Sequence, residues 1–262
     1  MKELERLLQI MKSLRHPETG CPWDKEQTID SIKGYTIEEA YEVVDAIERN
    51  DLDDLRDELG DLLFHIIFYS EMADEENHFK FLDVVKQANE KLERRHPHVF
   101  SELKVENSEQ VKHIWEQIKH EERDKKRDEH GYLLDDISTH MPAIMRARKL
   151  QKRAASVGFD WDDKAQILDK LEEELKELRQ AITENENNDM IEEELGDFMF
   201  CCINLARHFR IDPELALRKT NEKFVKRFNY IEESLKKKNK SLSQASLEEM
   251  DMLWDEAKKR LI

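Results

Sequence analysis

The chain has 262 residues, 39% of them apolar, and 60 Asp and Glu against 43 Lys and Arg give a formal net charge of −17. That length supports two ordinary domains, each with its own core, while 6 Gly and 5 Pro are too few for the many tight turns of a β-sandwich or barrel. So acidic a balance argues against nucleic acid as a partner, because phosphate backbones are bound chiefly through Lys and Arg; a small anionic substrate would need bridging divalent cations and a few placed basic residues.

At the N-terminus, Met1-Lys2-Glu3-Leu4-Glu5-Arg6 puts acids where a signal peptide has an apolar core. No apolar run approaches the ~18 residues of a membrane span, so a cytoplasmic chain that does not enter the membrane is expected. Cys21, Cys201 and Cys202 form no CxxC pair and are read as reduced core thiols. Thr36 is read as an N-cap with Glu39 closing a capping box, opening a helix to about Arg49. A second helix is predicted from about Leu52 to Ala73, and apolar residues at 81, 84, 85, 88 and 92 predict a third that ends before Pro97. From Arg123 to Asp136 the chain is a run of charges with Gly131 and no apolar period, the mark of a linker.

The order of motifs then repeats at a spacing of roughly 136 residues. Gly20-Cys21-Pro22-Trp23-Asp24, Glu38-Glu39-Ala40-Tyr41-Glu42, Glu58-Leu59-Gly60-Asp61 and Asn89-Glu90-Lys91 return as Gly158-Phe159-Asp160-Trp161-Asp162, Glu173-Glu174-Leu175-Lys176-Glu177, Glu194-Leu195-Gly196-Asp197 and Asn221-Glu222-Lys223. Trp115 and Trp254 close the two halves alike. The expected fold is all-α, with tandem helical-bundle domains at 1–125 and 137–262 and a charged linker at 126–136.

Glu39 and Glu42 stand three apart on one helix and Glu58 and Asp61 three apart on the next, so each pair shares a face; Glu174, Glu177, Glu194 and Asp197 repeat the set. Acidic pairs at this spacing arise readily by chance in so acidic a chain, and most are solvated. Three features favour a metal site. The set recurs at matching positions. Asp61 and Asp197 each lead an apolar stretch that predicts a buried helix, where a carboxylate is costly unless paired or bound to metal. Gly60 and Gly196 sit inside helices, at a cost of about 1 kcal/mol relative to Ala, which suggests close approach of a backbone or ligand. Buried carboxylate–Arg pairs are the alternative.

An all-oxygen set suits Mg²⁺, with Mn²⁺ as a substitute, and neither half supplies the ExxH pattern of di-iron bundles. His65 follows Asp61 by one turn and is read as a core histidine, since Cys201 takes its place in the second half. Lys91 with Arg95, and Lys223 with Arg227, project from one helical face and could offset phosphate charge or be ordinary surface cations. Trp115 and Trp254 could stack on a base or simply pack.

These motifs, together with Leu92-Glu93-Arg94-Arg95-His96-Pro97-His98-Val99-Phe100, make the chain resemble the MazG nucleoside triphosphate pyrophosphohydrolases along essentially its whole length. The resemblance implies a homodimer of the all-α NTP pyrophosphatase fold. It implies Mg²⁺-dependent cleavage of NTPs and dNTPs between the α- and β-phosphates, broad base tolerance and a housecleaning role. Carried over, Glu174, Glu177, Glu194 and Asp197 are the metal ligands and catalytic centre; read from the residues themselves, Glu173 or its counterpart Glu38 is a spare carboxylate that could take the water's proton, and Lys223 and Arg227 could offset charge on the leaving pyrophosphate. Lys170, Glu193, Lys223, Arg227 and Trp254 are the expected substrate contacts. The family's lysine before the second acidic pair has no counterpart, because Asp189, Met190 and Ile191 stand there. The competing expectation is a non-catalytic helical protein that binds metal and docks a partner.

Overall fold

The structure is a computed structural model describing residues 2–101, 103–126, 131–161, 163–184 and 187–260. Among them there is no strand and no helix long and apolar enough to cross a membrane. The chain divides into two compact units, Met1–Lys126 and Arg127–Ile262.

The first unit is built on a hairpin of α3 (Lys33–Arg49) and α4 (Leu52–Glu75), preceded by α1 (Lys2–Leu14) and the single-turn α2 (Pro22–Glu26), and followed by α5 (Phe81–Arg95), α6 (Pro97–Phe100) and α7 (Ser108–Lys126). The turn between α3 and α4 is two residues. Asn50 ends α3 in the left-handed region (φ 56°), and the Asp51 side chain accepts from Asp54 N at 3.1 Å, satisfying a free amide of the next helix. The expected start at Thr36 lies one turn late. The helix opens at Lys33, and the Thr36 hydroxyl instead meets Tyr69 Oη at 2.6 Å and the Ile32 carbonyl at 3.5 Å. Before α2, a Cβ on Gly20 would stand 2.3 Å from Leu14 O, so only glycine fits that bend. The core gathers Met11, Ile32, Ile67, Phe68 and Met72 from α1, α4 and the loop before α3.

The second unit repeats the hairpin as α9 (Lys164–Thr183) and α10 (Asn188–His208), preceded by α8 (Ala143–Ala155) and followed by α11 (Pro213–Lys237), a 3₁₀ turn (Leu242–Gln244) and α12 (Leu247–Arg260). Asp163, Asn187 and Asp212 cap α9, α10 and α11 through their side chains. Ile231, Leu235 and Leu253 make a small core between α11 and α12. The stretch 131–136, expected in the linker, is tied to α8. Arg153 donates to Leu133 O at 3.0 Å and to Asp136 at 2.6 Å.

The apolar stretches after Asp61 and Asp197 do not bury those helices completely. His65, Ile67, Phe68, Ser70, Met72 and Ala73 are the buried residues of α4, but Leu59, Leu63 and Ile66 are exposed. On α10 only Cys201, Ile203 and Asn204 are buried, with Leu195, Met199 and Phe200 exposed. Both Asp61 and Asp197 are themselves exposed, correcting the expectation of a buried carboxylate at each. A Cβ on Gly60 or Gly196 would meet nothing within 4 Å, so among the described residues nothing packs closely on either glycine.

Candidate active site

The i, i+3 spacing on antiparallel helices brings the acids together in each unit. In the first, Glu39, Glu58 and Asp61 place oxygens within 4.8 Å of one another; in the second, Glu174, Glu194 and Asp197 do the same. Glu42 stands outside the first group, though its charge bears on Glu39 and Glu58. Glu177 likewise stands outside the second group, though its charge bears on Glu194.

Crowding of like charge shows in their protonation. Glu194 is raised above the ordinary carboxylate range, by burial first and then by Glu177, Asp197 and Glu174. Glu39 is raised by burial, then by Asp61, Glu42 and Glu58, and Glu58 by burial, then by Glu42 and other acids. Such clusters are relieved by a cation, and an all-carboxylate donor set in which three oxygens converge fits Mg²⁺ or Mn²⁺. His65 is buried, as expected of a core residue, yet its Nε2 lies 3.7 Å from Glu39, its Nδ1 has no partner, and burial lowers its pKa.

The second unit adds a fixed cation. Lys170, four residues before Glu174, lies 2.8 Å from it and 3.0 Å from Glu173. These two hydrogen bonds hold its ammonium above the ordinary lysine range. Glu174 is buried, whereas Glu173, Glu177 and Glu193 are exposed. Lys170, Glu174 and Asp197 also line a cavity of about 350 Å³ whose walls include Leu150, Phe159, Trp161 and Phe200 and the polar side chains Gln151, Asn204 and Arg207. Gly158, at φ +88°, makes the turn that presents Phe159 and Trp161, a conformation glycine adopts at little cost.

Arg227 and Trp254 form a second grouping with Phe224, which lies on the helix that also carries Lys223. Arg227 lies 5.6 Å over the Trp254 ring and Phe224 packs 5.2 Å from it. Neither Lys223 nor Trp254 nor Arg227 lines the cavity beside the acids, so within this unit the structure joins the acids to Lys170 but not to these three.

Gln151 and Asn204 were not singled out from sequence. The signal was a polar residue on an apolar stripe, Gln151 beside Ala147, Leu150 and Ala154, and Asn204 between Ile203 and Leu205. Polar side chains at such positions demand partners.

The MazG nucleotide pyrophosphohydrolase domain matches the chain twice, over residues 27–100 and 163–231. The chain belongs to the MazG nucleotide pyrophosphohydrolase family. It is thereby an enzyme, a hydrolase acting on phosphoric anhydrides, and the expectation of a non-catalytic binding protein is set aside. A nucleoside triphosphate pyrophosphohydrolase of Escherichia coli K12 is 49% identical over 100% of this chain and 99% of its own length. The nucleoside triphosphate pyrophosphohydrolase/pyrophosphatase MazG of Thermotoga maritima is 42% identical over 97% and 95%. A mazG-related protein of Thermotoga maritima, known as a crystal structure, is 31% identical and covers 44% of this chain and 98% of that one, with a TM-score of 0.38. Each MazG segment contains one acidic cluster, and the second ends before Trp254.

Proposed function

We propose that this MazG-family chain hydrolyses nucleoside triphosphates and deoxynucleoside triphosphates to the monophosphate and pyrophosphate. On this reading it is broad in base, acts in the cytoplasm as a homodimer, clears aberrant nucleotides, and uses the second unit as its catalytic one. The observation that carries the reading is the convergence of Glu174, Glu194 and Asp197 within 4.8 Å, beside Lys170, at a cavity with aromatic walls.

Glu174, Glu177, Glu194 and Asp197 would hold Mg²⁺, with Mn²⁺ as a substitute. When bound, the ion polarises phosphate oxygens and makes a water acidic enough to attack phosphorus. Lys170 keeps its proton and fixes the Glu174 carboxylate in place. Glu173 is exposed and one residue from Glu174, where it can take a proton from the attacking water. Lys223 and Arg227 have no ion pair to any carboxylate among the described residues, so their charge is available to a leaving pyrophosphate. Exposed Met199, Phe200 and Leu195 around the open Gly196 support a second copy on α10, since apolar surface of this kind is normally covered.

The test is release of pyrophosphate and nucleoside monophosphate from a panel of NTPs and dNTPs, with Mg²⁺ and with EDTA, for wild type, Glu42→Gln and Glu177→Gln. Release is expected only with metal, cut at least about a hundredfold by Glu177→Gln and less than about threefold by Glu42→Gln. Full activity in Glu177→Gln would refute the ligand set.

A further inference from the structure

We propose that the cavity between α1, α4 and the start of α5 in the first unit binds an amphipathic organic cation, its ammonium on the Glu71 carboxylate and its stem on Leu8, Ile67 and Phe81. The cavity measures about 370 Å³, within the range of small-ligand pockets. None of its lining residues belongs to either acidic cluster, so its occupancy does not depend on the reaction proposed above.

The acids that α4 places here are in two conditions. Asp74 is paired with Lys80 at 3.2 Å, and Glu75, one residue on, with Arg15 at 2.6 Å. Glu71 is half-buried and has no hydrogen bond or ion pair among the described residues; Lys12 and Arg15 reach it only through their charge. Its oxygens are not sealed in, since the buried side-chain atoms without a partner lie elsewhere, as at His65 Nδ1 and Gln151 Oε1. Burial is the largest influence on its pKa and raises it; Lys12 works against this, and Asp74 and Glu75 add to it. A half-buried carboxylate without a partner is costly, and a cation that brings its own N–H donors removes the cost.

The wall selects among ligands. An anion, a triphosphate included, is repelled by Glu71 and the acids beside it. A bare divalent ion finds no cage, because among the described residues carboxylate oxygens converge within 4.8 Å at the two hairpin clusters and not here. The floor is apolar, with Ile67 1% exposed and Leu8 and Phe81 half-buried, and burying an alkyl stem on it is favourable. Duplication has not carried the carboxylate into the second unit. Glu71 stands ten residues after Asp61, whereas ten after Asp197 stands Arg207, which donates to Asp160 at 2.9 Å.

The probe is hexylamine, which near pH 8 keeps its proton as a lysine does, with a pKa of about 10.4. Hexan-1-ol, with the same stem and no charge, is the comparison. Both are titrated into the full chain by ligand-observed NMR, for wild type, Glu71→Gln and Lys12→Gln. Wild type should bind the amine about tenfold more tightly than the alcohol, and Glu71→Gln should bring the two affinities together. Lys12→Gln takes a competing cation off the same wall and should tighten amine binding about threefold, with the alcohol unchanged. Lys12 is exposed, so that variant decides the matter if Glu71→Gln does not fold. Equal affinity of wild type for amine and alcohol, or a preference for the amine that survives in Glu71→Gln, overturns the proposal. Amine binding that Lys12→Gln leaves unchanged or weakens overturns it too. Pyrophosphate release enters none of these readings, so failure of the pyrophosphohydrolase reading would leave them standing.

Discussion

Seven residues after Asp61 stands Phe68, fully buried and packed with Met11, Ile32 and Met72; seven after Asp197 stands Asn204, buried at the wall of an open cavity. Four residues before Glu39 is Tyr35, exposed and edge-on to Trp23 at 6.4 Å, whereas four before Glu174 is Lys170, bound to two acids. On α5 of the first unit, Arg94 and Arg95 both close on Glu122, at 2.7 and 2.6 Å, while Arg227 in the second has an aromatic partner and, among the described residues, no acid. Duplication has thus kept the acids in both units while changing what surrounds them, a core ring and a tyrosine in the first, a cavity wall and a lysine in the second. Acids alone do not make a phosphate site on so acidic a chain; the space and the cations do.

The largest expected effect separates the acids themselves. Glu174→Gln should lower turnover at least about a thousandfold, and Glu39→Gln less than about threefold, read as steady-state pyrophosphate release. Equal losses would mean that both units work and would break the comparison at its centre.

Next comes packing. Phe68→Ala should cost about 3 to 4 kcal/mol, because a fully buried ring leaves a hole among Met11, Ile32 and Met72. Asn204→Leu should change stability by less than about 1 kcal/mol, since an apolar side chain suits a wall that already holds Phe200 and Leu150. Urea unfolding of each variant checks this. A cost for Asn204→Leu as large as that of Phe68→Ala would show that its wall is packed core.

Much of this was legible in the sequence. The period of the apolar residues placed the hairpin helices to within a few residues, and the i, i+3 spacing placed three acids of each set in contact. What sequence patterning could not supply was depth. The apolar stretches after Asp61 and Asp197 read as buried, but a helix that is apolar all round can still leave one side exposed, as Leu195, Met199 and Phe200 are. Thr36 carried a good capping pattern, yet Tyr69 from the next helix claimed its hydroxyl. Gln151 and Asn204 were hidden because a polar residue on an apolar stripe announces a need for partners without saying which.

A smaller effect tests why the cations of the first unit are not available. Hydrogen bonds from Arg95 and then Arg94 hold the Glu122 carboxyl down at about 2, against an ordinary 4.5. Because its folded value is depressed, the stability it contributes is present above pH 4.5 and lost as pH falls through about 2. Glu122→Gln should therefore cost about 1 to 2 kcal/mol at neutral pH and little near pH 2, since the pair is only partly shielded from water. Chemical denaturation of both proteins at the two pH values gives the difference, and a pH-independent cost would mean that packing rather than charge holds α5 to α7.

The smallest effect has the opposite sign. In metal-free protein, Glu194 is raised by burial and by Glu177, Asp197 and Glu174, so the folded state holds its proton more tightly than the unfolded chain does. Stability then falls as pH rises from the ordinary carboxylate range, near 4.5, through the raised folded value. With EDTA, the melting temperature should drift down across that window, and Glu194→Gln, which has no proton to lose, should flatten part of the slope. Mg²⁺ should raise the melting temperature of wild type more at neutral than at acid pH, because the ion competes with protons for the same oxygens. Glu39 and Glu58 are raised in the same way, so Glu58→Gln should flatten the slope too. If only one of these variants did so, the acids of the two units would differ in their own electrostatics and not merely in the space and cations beside them.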